Sequence, residues 1–158
     1  MGTYEPLDAS KLTRDEKRDA LESLLFITEK RDGRIKSRKC AMGNKQRTYG
    51  GYDKSAGSSP TVTTKGLVLT CWINAFEGQK LAIVDIGTAF LHADNEEEVR
   101  MKLRGNIVEL LVQLKPTMYR KYVTVGPSGE PIFYVRLLKA LYGLLRSALL
   151  FTRSYEGT

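Results

Sequence analysis

Leu81-Ala-Ile-Val-Asp85-Ile-Gly-Thr-Ala-Phe90-Leu91 decides how the chain reads. An apolar run ends on a carboxylate, and a short turn leads to an aromatic residue five positions later. A nearly continuous apolar run over residues 80–86 predicts a short strand buried on both faces. A carboxylate at the tip of such a strand is costly unless a cation or several donors compensate it. A metal ion used in phosphate chemistry would do so. Read alone, Asp85 is more often a helix N-cap or a loop carboxylate, and Phe90 more often a core aromatic.

Elements of both kinds surround this stretch. Thr13-Arg-Asp-Glu16 has capping-box spacing, and Leu21, Leu24, Leu25 and Thr28 follow at helical intervals. They predict a first amphipathic helix, stopped at Asp32-Gly33. Residues 34–47 are rich in Lys and Arg with little apolar periodicity, which predicts an extended ribbon or hairpin. Residues 48–60, rich in Gly, Ser and Tyr, predict a loop. Thr63 or Thr64 caps a second helix with Leu67, Cys71 and Ala75 along one face, ending at Glu77-Gly78. Val99, Met101 and Leu103 alternate with charges and predict a half-exposed strand. Ile107, Leu110, Leu111 and Leu114 predict a third helix closed by Lys115-Pro116. Residues 122–125 and 132–137 flank Gly126-Pro-Ser-Gly-Glu-Pro131 as a hairpin. Residues 138–151 predict a largely buried helix. Strands and helices intermingle without regular alternation, so the fold class is α+β, an antiparallel sheet with packed helices.

The 158 residues suffice for one domain with a real core. A formal net charge of +7 favours an anionic partner, above all nucleic acid, over a merely soluble basic surface. Cys40 and Cys71 lack CxxC spacing, and one histidine, His92, adds too few soft ligands for structural zinc. Both cysteines are expected reduced, in the packed interior of an intracellular protein, cytoplasmic or nuclear. No window approaches the roughly 18 to 20 apolar residues of a membrane span, so no membrane partner is expected. Glu96-Glu97-Glu98 reads as a solvated turn, because strand neighbours face opposite sides. His92 reads as a local hydrogen-bonding residue. No Ser-His-Asp or Cys-His nucleophile arrangement is present.

Five elements in order carry a resemblance. They are the basic ribbon with Lys36-Ser-Arg38, then Ser59-Pro60-Thr61-Val62, then Asp85-Ile-Gly-Thr-Ala-Phe-Leu91. Glu96-Glu-Glu-Val-Arg-Met101 and Lys139-Ala-Leu-Tyr-Gly-Leu144 complete the set. Together the elements resemble the reverse transcriptases of copia-type LTR retrotransposons, over residues 32–151. The resemblance implies a partial right-hand polymerase, with fingers and part of a palm. Residues 1–31 would form an N-terminal helical region and 152–158 a divergent tail.

By that resemblance Asp85 is the first catalytic aspartate and binds Mg²⁺, with the Ile86 carbonyl as a further ligand. Phe90 packs beneath the sugar of an incoming dNTP and disfavours a 2′-hydroxyl. Lys36 and Arg38 contact triphosphate and template. Tyr142 and Gly143 lie against the nascent base pair, Gly143 permitting close approach. Lys39, Lys45 and Arg47 contact an RNA or DNA template-primer. The bland alternatives are a solvated, lysine-protected edge for the ribbon and a simple bend at Tyr142-Gly143.

The departures are as informative. The family places two further aspartates in a downstream Y-x-D-D hairpin. This chain has no Asp-Asp pair and no Asp after Asp94. Arg146-Ser147-Ala148 replaces a K-Q-S-P-like run, and the Trp expected soon after is missing. One aspartate supplies too few ligands and too little charge for two divalent ions. The expectation is therefore a reverse-transcriptase fragment, inactive alone, with the frame breaking near Phe151 and the remainder of a Pol polyprotein as a partner. The alternative is a non-catalytic basic module that binds nucleic acid, or a decayed retroelement remnant. The Asp85 strand would lose its sheet neighbours, leaving the chain marginally stable or prone to aggregate.

Overall fold

The computed structural model describes residues 2–46, 59 and 61–156. Helix α1, Arg14–Asp19, begins on the anticipated capping box. Thr13 Oγ1 accepts from the Glu16 amide at 3.2 Å, and Glu16 Oε2 accepts from the Thr13 amide at 2.8 Å. The rest of the predicted first helix is instead strand β2, Leu21–Glu29. Its leucines fit helical spacing, but Leu24-Leu-Phe-Ile-Thr28 is also an apolar run ending in β-branched residues. Such a run suits a pleated surface. The Asp32-Gly33 signal is a hairpin turn rather than a helix stop. Gly33 adopts φ 76°, and the Lys30 and Arg34 backbones bond across the turn at 2.9 Å. Strand β3, Ile35–Ala41, returns along β2 in antiparallel register from Glu29↔Ile35 to Ser23↔Ala41. The extended basic ribbon is thus present, with β2 as its second strand.

Strand β1 is Tyr4–Leu7, β4 Arg100–Arg104, β5 Thr124–Val125 and β6 Pro131–Leu137. The sheet order is β1-β6-β4-β2-β3, with β5 added on β6. All pairings are antiparallel except β2 with β4, which pair in parallel through Leu21 and Glu22 alone. The distal ribbon therefore stands clear of the sheet. Strand β4 is more deeply buried than alternation predicts. Its central place encloses Met101, Leu103 and also Lys102, whose Nζ meets Glu22 Oε1 at 2.8 Å. The fold is thus a mixed α/β arrangement, in which five α-helices and a six-stranded sheet are described.

Helix α2, Thr64–Phe76, is capped by Thr63, whose hydroxyl accepts from Gly66 N at 3.1 Å. It carries no buried residue, and Cys71 on it is exposed rather than interior; Cys40 is half-buried, and both thiols are free. Helix α3, Asn106–Leu114, matches the third predicted helix, but its inward face is shifted. Val108 is buried with Ile107, Leu111 and Val112 beside it, whereas Leu110 and Leu114 face solvent. A short helix α4, Pro116–Tyr119, follows. The core joins Leu21, Met101, Leu103, Val108, Phe133, Val135 and Leu137.

Two apolar segments depart from expectation. Residues 79–86 form no strand: Leu81, Ile83 and Val84 are exposed, and among the described residues no backbone partner pairs with them. Burial on both faces needs layers packed above and below the strand, and Leu81, Ile83 and Val84 are left exposed. Residues 138–151 are not one helix. Helix α5 spans Ser147–Glu156, and residues 138–146 form turns and a bridge from Lys139 to Asp94. The segment is buried as predicted at Ala140, Leu141 and Leu144. Its backbone bonds go to other parts of the chain instead: Ala140 N to Ala93 O at 3.0 Å, and Leu138 N to Thr3 O at 3.0 Å.

Candidate nucleotide-facing site

The 138–146 turn brings distant residues together. The Ala41 amide at the end of β3 donates to Tyr142 O at 2.8 Å. Gly143 follows at φ 92°, and a Cβ built there would lie 2.0 Å from Ala41 O. Gly43 meets the same turn from the other side, where a Cβ would lie 2.1 Å from Gly143 O. Gln46 Oε1 accepts from Leu145 N at 3.1 Å. The basic ribbon is therefore fastened onto the Leu-Tyr-Gly turn through backbone groups. The room that Gly143 leaves is taken by the Ala41 carbonyl.

On this frame the Phe90 and Tyr142 rings meet at 4.7 Å between centroids, tilted by 60°. Phe151 of α5 packs edge-on against Phe90 at 6.1 Å. The Arg38 guanidinium lies 5.9 Å from the Tyr142 centroid, within cation–π range. Phe90 sits in a 3₁₀ turn, Ala89–His92, whose preceding residue Thr88 holds φ 54°. Left-handed backbone is costly for a β-branched residue, so this turn is locally strained. The His92 ring forms the local contact anticipated for it, Nε2 to Gly87 O at 3.2 Å.

Lys36, Arg38, Phe90, Tyr142 and Gly143 thus divide between one shared surface and its approach. Arg38, Phe90, Tyr142 and Gly143 are joined directly, and Lys36 lies two residues along β3, exposed opposite Thr28. Lys45 closes the 3₁₀ turn Gly43–Lys45 and is half-buried. Arg47 lies outside the described residues. Asp85 is exposed, and among the described residues its carboxylate has no hydrogen-bond or ion-pair partner. Glu96, Glu97 and Glu98 are exposed as expected, with Glu98 on Arg100 at 2.6 Å and Glu97 on Arg146.

Among the described residues, no three His, Cys, Asp or Glu side chains gather to hold a metal ion. Asp85 with the Ile86 carbonyl does not amount to a two-metal donor set. No described helix is long and apolar enough to cross a membrane.

Lys39 takes the opposite face of the ribbon from Arg38, as strand alternation requires. Its Nζ lies 4.9 Å from the Tyr4 centroid. Burial pushes its amine down to about 8. Tyr4 is pushed up to about 12 by burial first, then by its hydrogen bond with Tyr119. This cluster was not visible in the sequence, because Tyr4 and Tyr119 reach Lys39 only through tertiary packing.

A pH dependence follows. A lysine lowered on folding holds fewer protons in the folded than in the unfolded chain between about 8 and 10.5. Stability therefore rises with pH across that window. Tyr4 acts oppositely: its contribution is full below 10.0 and is lost toward about 12. Urea midpoints from pH 7 to 11 should climb and then fall, and Lys39→Met should remove the climb alone. A flat profile in the wild type would contradict the burial of this amine.

No family model matches the chain, and neither a curated protein nor a solved structure matches it.

Proposed function

We propose that the chain carries the fingers and part of the palm of a copia-type reverse transcriptase, and that it binds nucleic acid without extending a primer alone. One observation supports this above the others. Arg38, Phe90 and Tyr142 come from three separate motifs of the resemblance, yet they share one surface, at 4.7 Å for the rings and 5.9 Å for the cation.

In this reading Arg38 and Lys36 hold phosphates, Arg38 by a planar fork and Lys36 as a point charge. Phe90, backed by Phe151 and wedged against Tyr142, presents a fixed ring edge under a sugar. Asp85 is a catalytic position by descent that lacks partner carboxylates. In a full polymerase those would come from the rest of a Pol polyprotein, and Mg²⁺ would supply the charge compensation for phosphoryl transfer. The second reading is a basic binding module or decayed remnant with no catalytic past in use. The solvent-exposed Asp85 favours it, because no group among the described residues holds that carboxylate in a site.

Binding to a labelled template-primer should weaken steeply with salt, as phosphate contacts require. Lys36→Ala and Arg38→Ala should each lower both the affinity and the salt slope. Primer extension with Mg²⁺ and dNTPs should be undetectable, and Asp85→Asn should leave affinity unchanged. Salt-independent binding would defeat both binding readings, and no binding would leave the decayed remnant alone; extension abolished by Asp85→Asn would restore an active polymerase.

A further inference from the structure

The register of the ribbon sets an aromatic ring beside its cations. Phe26 lies directly across from Arg38, and Thr28 directly across from Lys36. Cross-strand partners point to the same face. Phe26 therefore shares a face with Lys36 and with the Arg38 that reaches over Tyr142. Phe26 is 54% exposed, although it is one of only five phenylalanines in the chain.

The position of Phe26 explains why the core does not claim it. The last pairing between β2 and β4 is Glu22↔Lys102, four residues earlier. Beyond it the ribbon is two strands thick with no further strand alongside among the described residues. The surroundings are strongly basic. From Glu29 to Lys39 there are six Lys or Arg and two acidic residues, and Asp32 is held by Arg34 at 2.6 Å. The opposite face carries Ile27 across from Ser37, Ile35 across from Glu29 and, nearer the sheet, Leu25 across from Lys39, whose amine is covered by the Tyr4 ring. Ile27 and Ile35 are as exposed as Phe26, so exposure alone does not distinguish the faces. An exposed ring and two exposed cations share the Phe26 face, whereas the cation of the other face, Lys39, is half-buried against Tyr4.

We propose that Phe26 stacks on an unpaired base of a single-stranded nucleic acid whose phosphates rest on Lys36 and Arg38. A flat ring bordered by cations is the recurring platform for single strands, since every base has a π-face and the backbone is anionic. In a duplex the base faces are already stacked and cannot meet the ring. The ribbon face thus selects single strands over duplex, and it does so without base-edge hydrogen bonds or sequence preference. This deepens the proposed function and rests on its ribbon contacts.

The test is fluorescence anisotropy of the full chain with a labelled oligouridine and with a blunt RNA duplex of equal phosphate number. The single strand should bind more tightly. Phe26→Ala should weaken it by roughly ten-fold while leaving duplex affinity and the salt slope unchanged, because no charge is lost. Phe26→Trp should retain wild-type affinity, and Ile27→Ala, on the other face, should bind as wild type. Circular dichroism of each variant separates misfolding from lost stacking. Salt-sensitive binding that needs Lys36 and Arg38 but ignores Phe26→Ala, or equal losses from Phe26→Ala and Ile27→Ala, would overturn this inference alone. Absence of salt-sensitive binding to either probe would overturn the underlying reading with it.

Discussion

Gly143→Ala should destabilise the chain by roughly 3 kcal/mol, from a left-handed penalty of about 1 and an overpacking term of about 1 to 3. Both terms apply at this residue. Its φ of 92° suits only glycine, and a Cβ would sit 2.0 Å from Ala41 O and 3.1 Å from the Ala41 carbonyl carbon. The obstacle is backbone, so no rotamer change relieves it. The turn must move away from β3, and the bond from Ala41 N to Tyr142 O at 2.8 Å must lengthen. Urea unfolding reads the energy, and hydrogen exchange at the Ala41 amide reads the location. An alanine variant within about 0.5 kcal/mol of wild type, with Ala41 still protected, would show that the turn tolerates a side chain.

Gly143 also shows what sequence reasoning could and could not reach. A glycine after Tyr142 reads as a point of close backbone approach, which by the resemblance is to a nascent base pair. The group approached is the Ala41 carbonyl, which no local pattern names. The same division recurs elsewhere. The Thr13 capping box is local chemistry and was legible, as were the α2 cap at Thr63 and the β5–β6 hairpin. Leu21 to Thr28 was misread as helix because helical spacing and strand propensity coexist there. Pairing with β3 decided the matter, and pairing is not written in either strand alone. Asp32-Gly33 was recognised as a stop, but hairpin and helix end use the same glycine.

The site divides along the same line. Lys36 and Arg38 were legible as a basic strand, and Phe90 and Tyr142 as aromatics attached to motifs. Phe26 was not, because its importance lies in facing Arg38 across a pairing that sequence reading had replaced with a helix. Asp85 was read from an apolar run that promised a buried strand. The run is exposed, since a strand buried on both faces exists only with neighbours to bury it. Leu81, Ile83 and Val84 are exposed, as are Trp72 and Phe76 on α2. The basic ribbon stays anchored by the 138–146 turn, whereas the segment bearing Asp85 has no such anchor among the described residues.

Phe133→Ala should have the largest effect on folding, about 3–5 kcal/mol. Phe133 is fully buried in the middle of β6, opposite Leu103 of β4. The Tyr119 ring meets it edge-on at 5.6 Å, and Tyr122 lies at 6.3 Å. It therefore joins the sheet to the helical layer of α3 and α4. Removing the ring leaves a cavity whose walls are strand backbone on one side and two tyrosines on the other, so little of it can collapse. Domains of this kind hold about 5–15 kcal/mol in all, and the variant should be partly unfolded at 37 °C. Phe133→Leu keeps most of the volume and should cost less than about 1.5 kcal/mol. Urea midpoints should fall with an unchanged denaturant slope for both variants. The contrast with Gly143→Ala fixes the interpretation. Strand β6 runs directly into the turn that carries Tyr142, so Phe133→Ala should release amide protection across the sheet and the turn together. Gly143→Ala should release the turn while Met101 and Val135 stay protected. If Phe133→Ala instead cost less than 1 kcal/mol, roughly, the sheet and helical layer would not be joined through this ring.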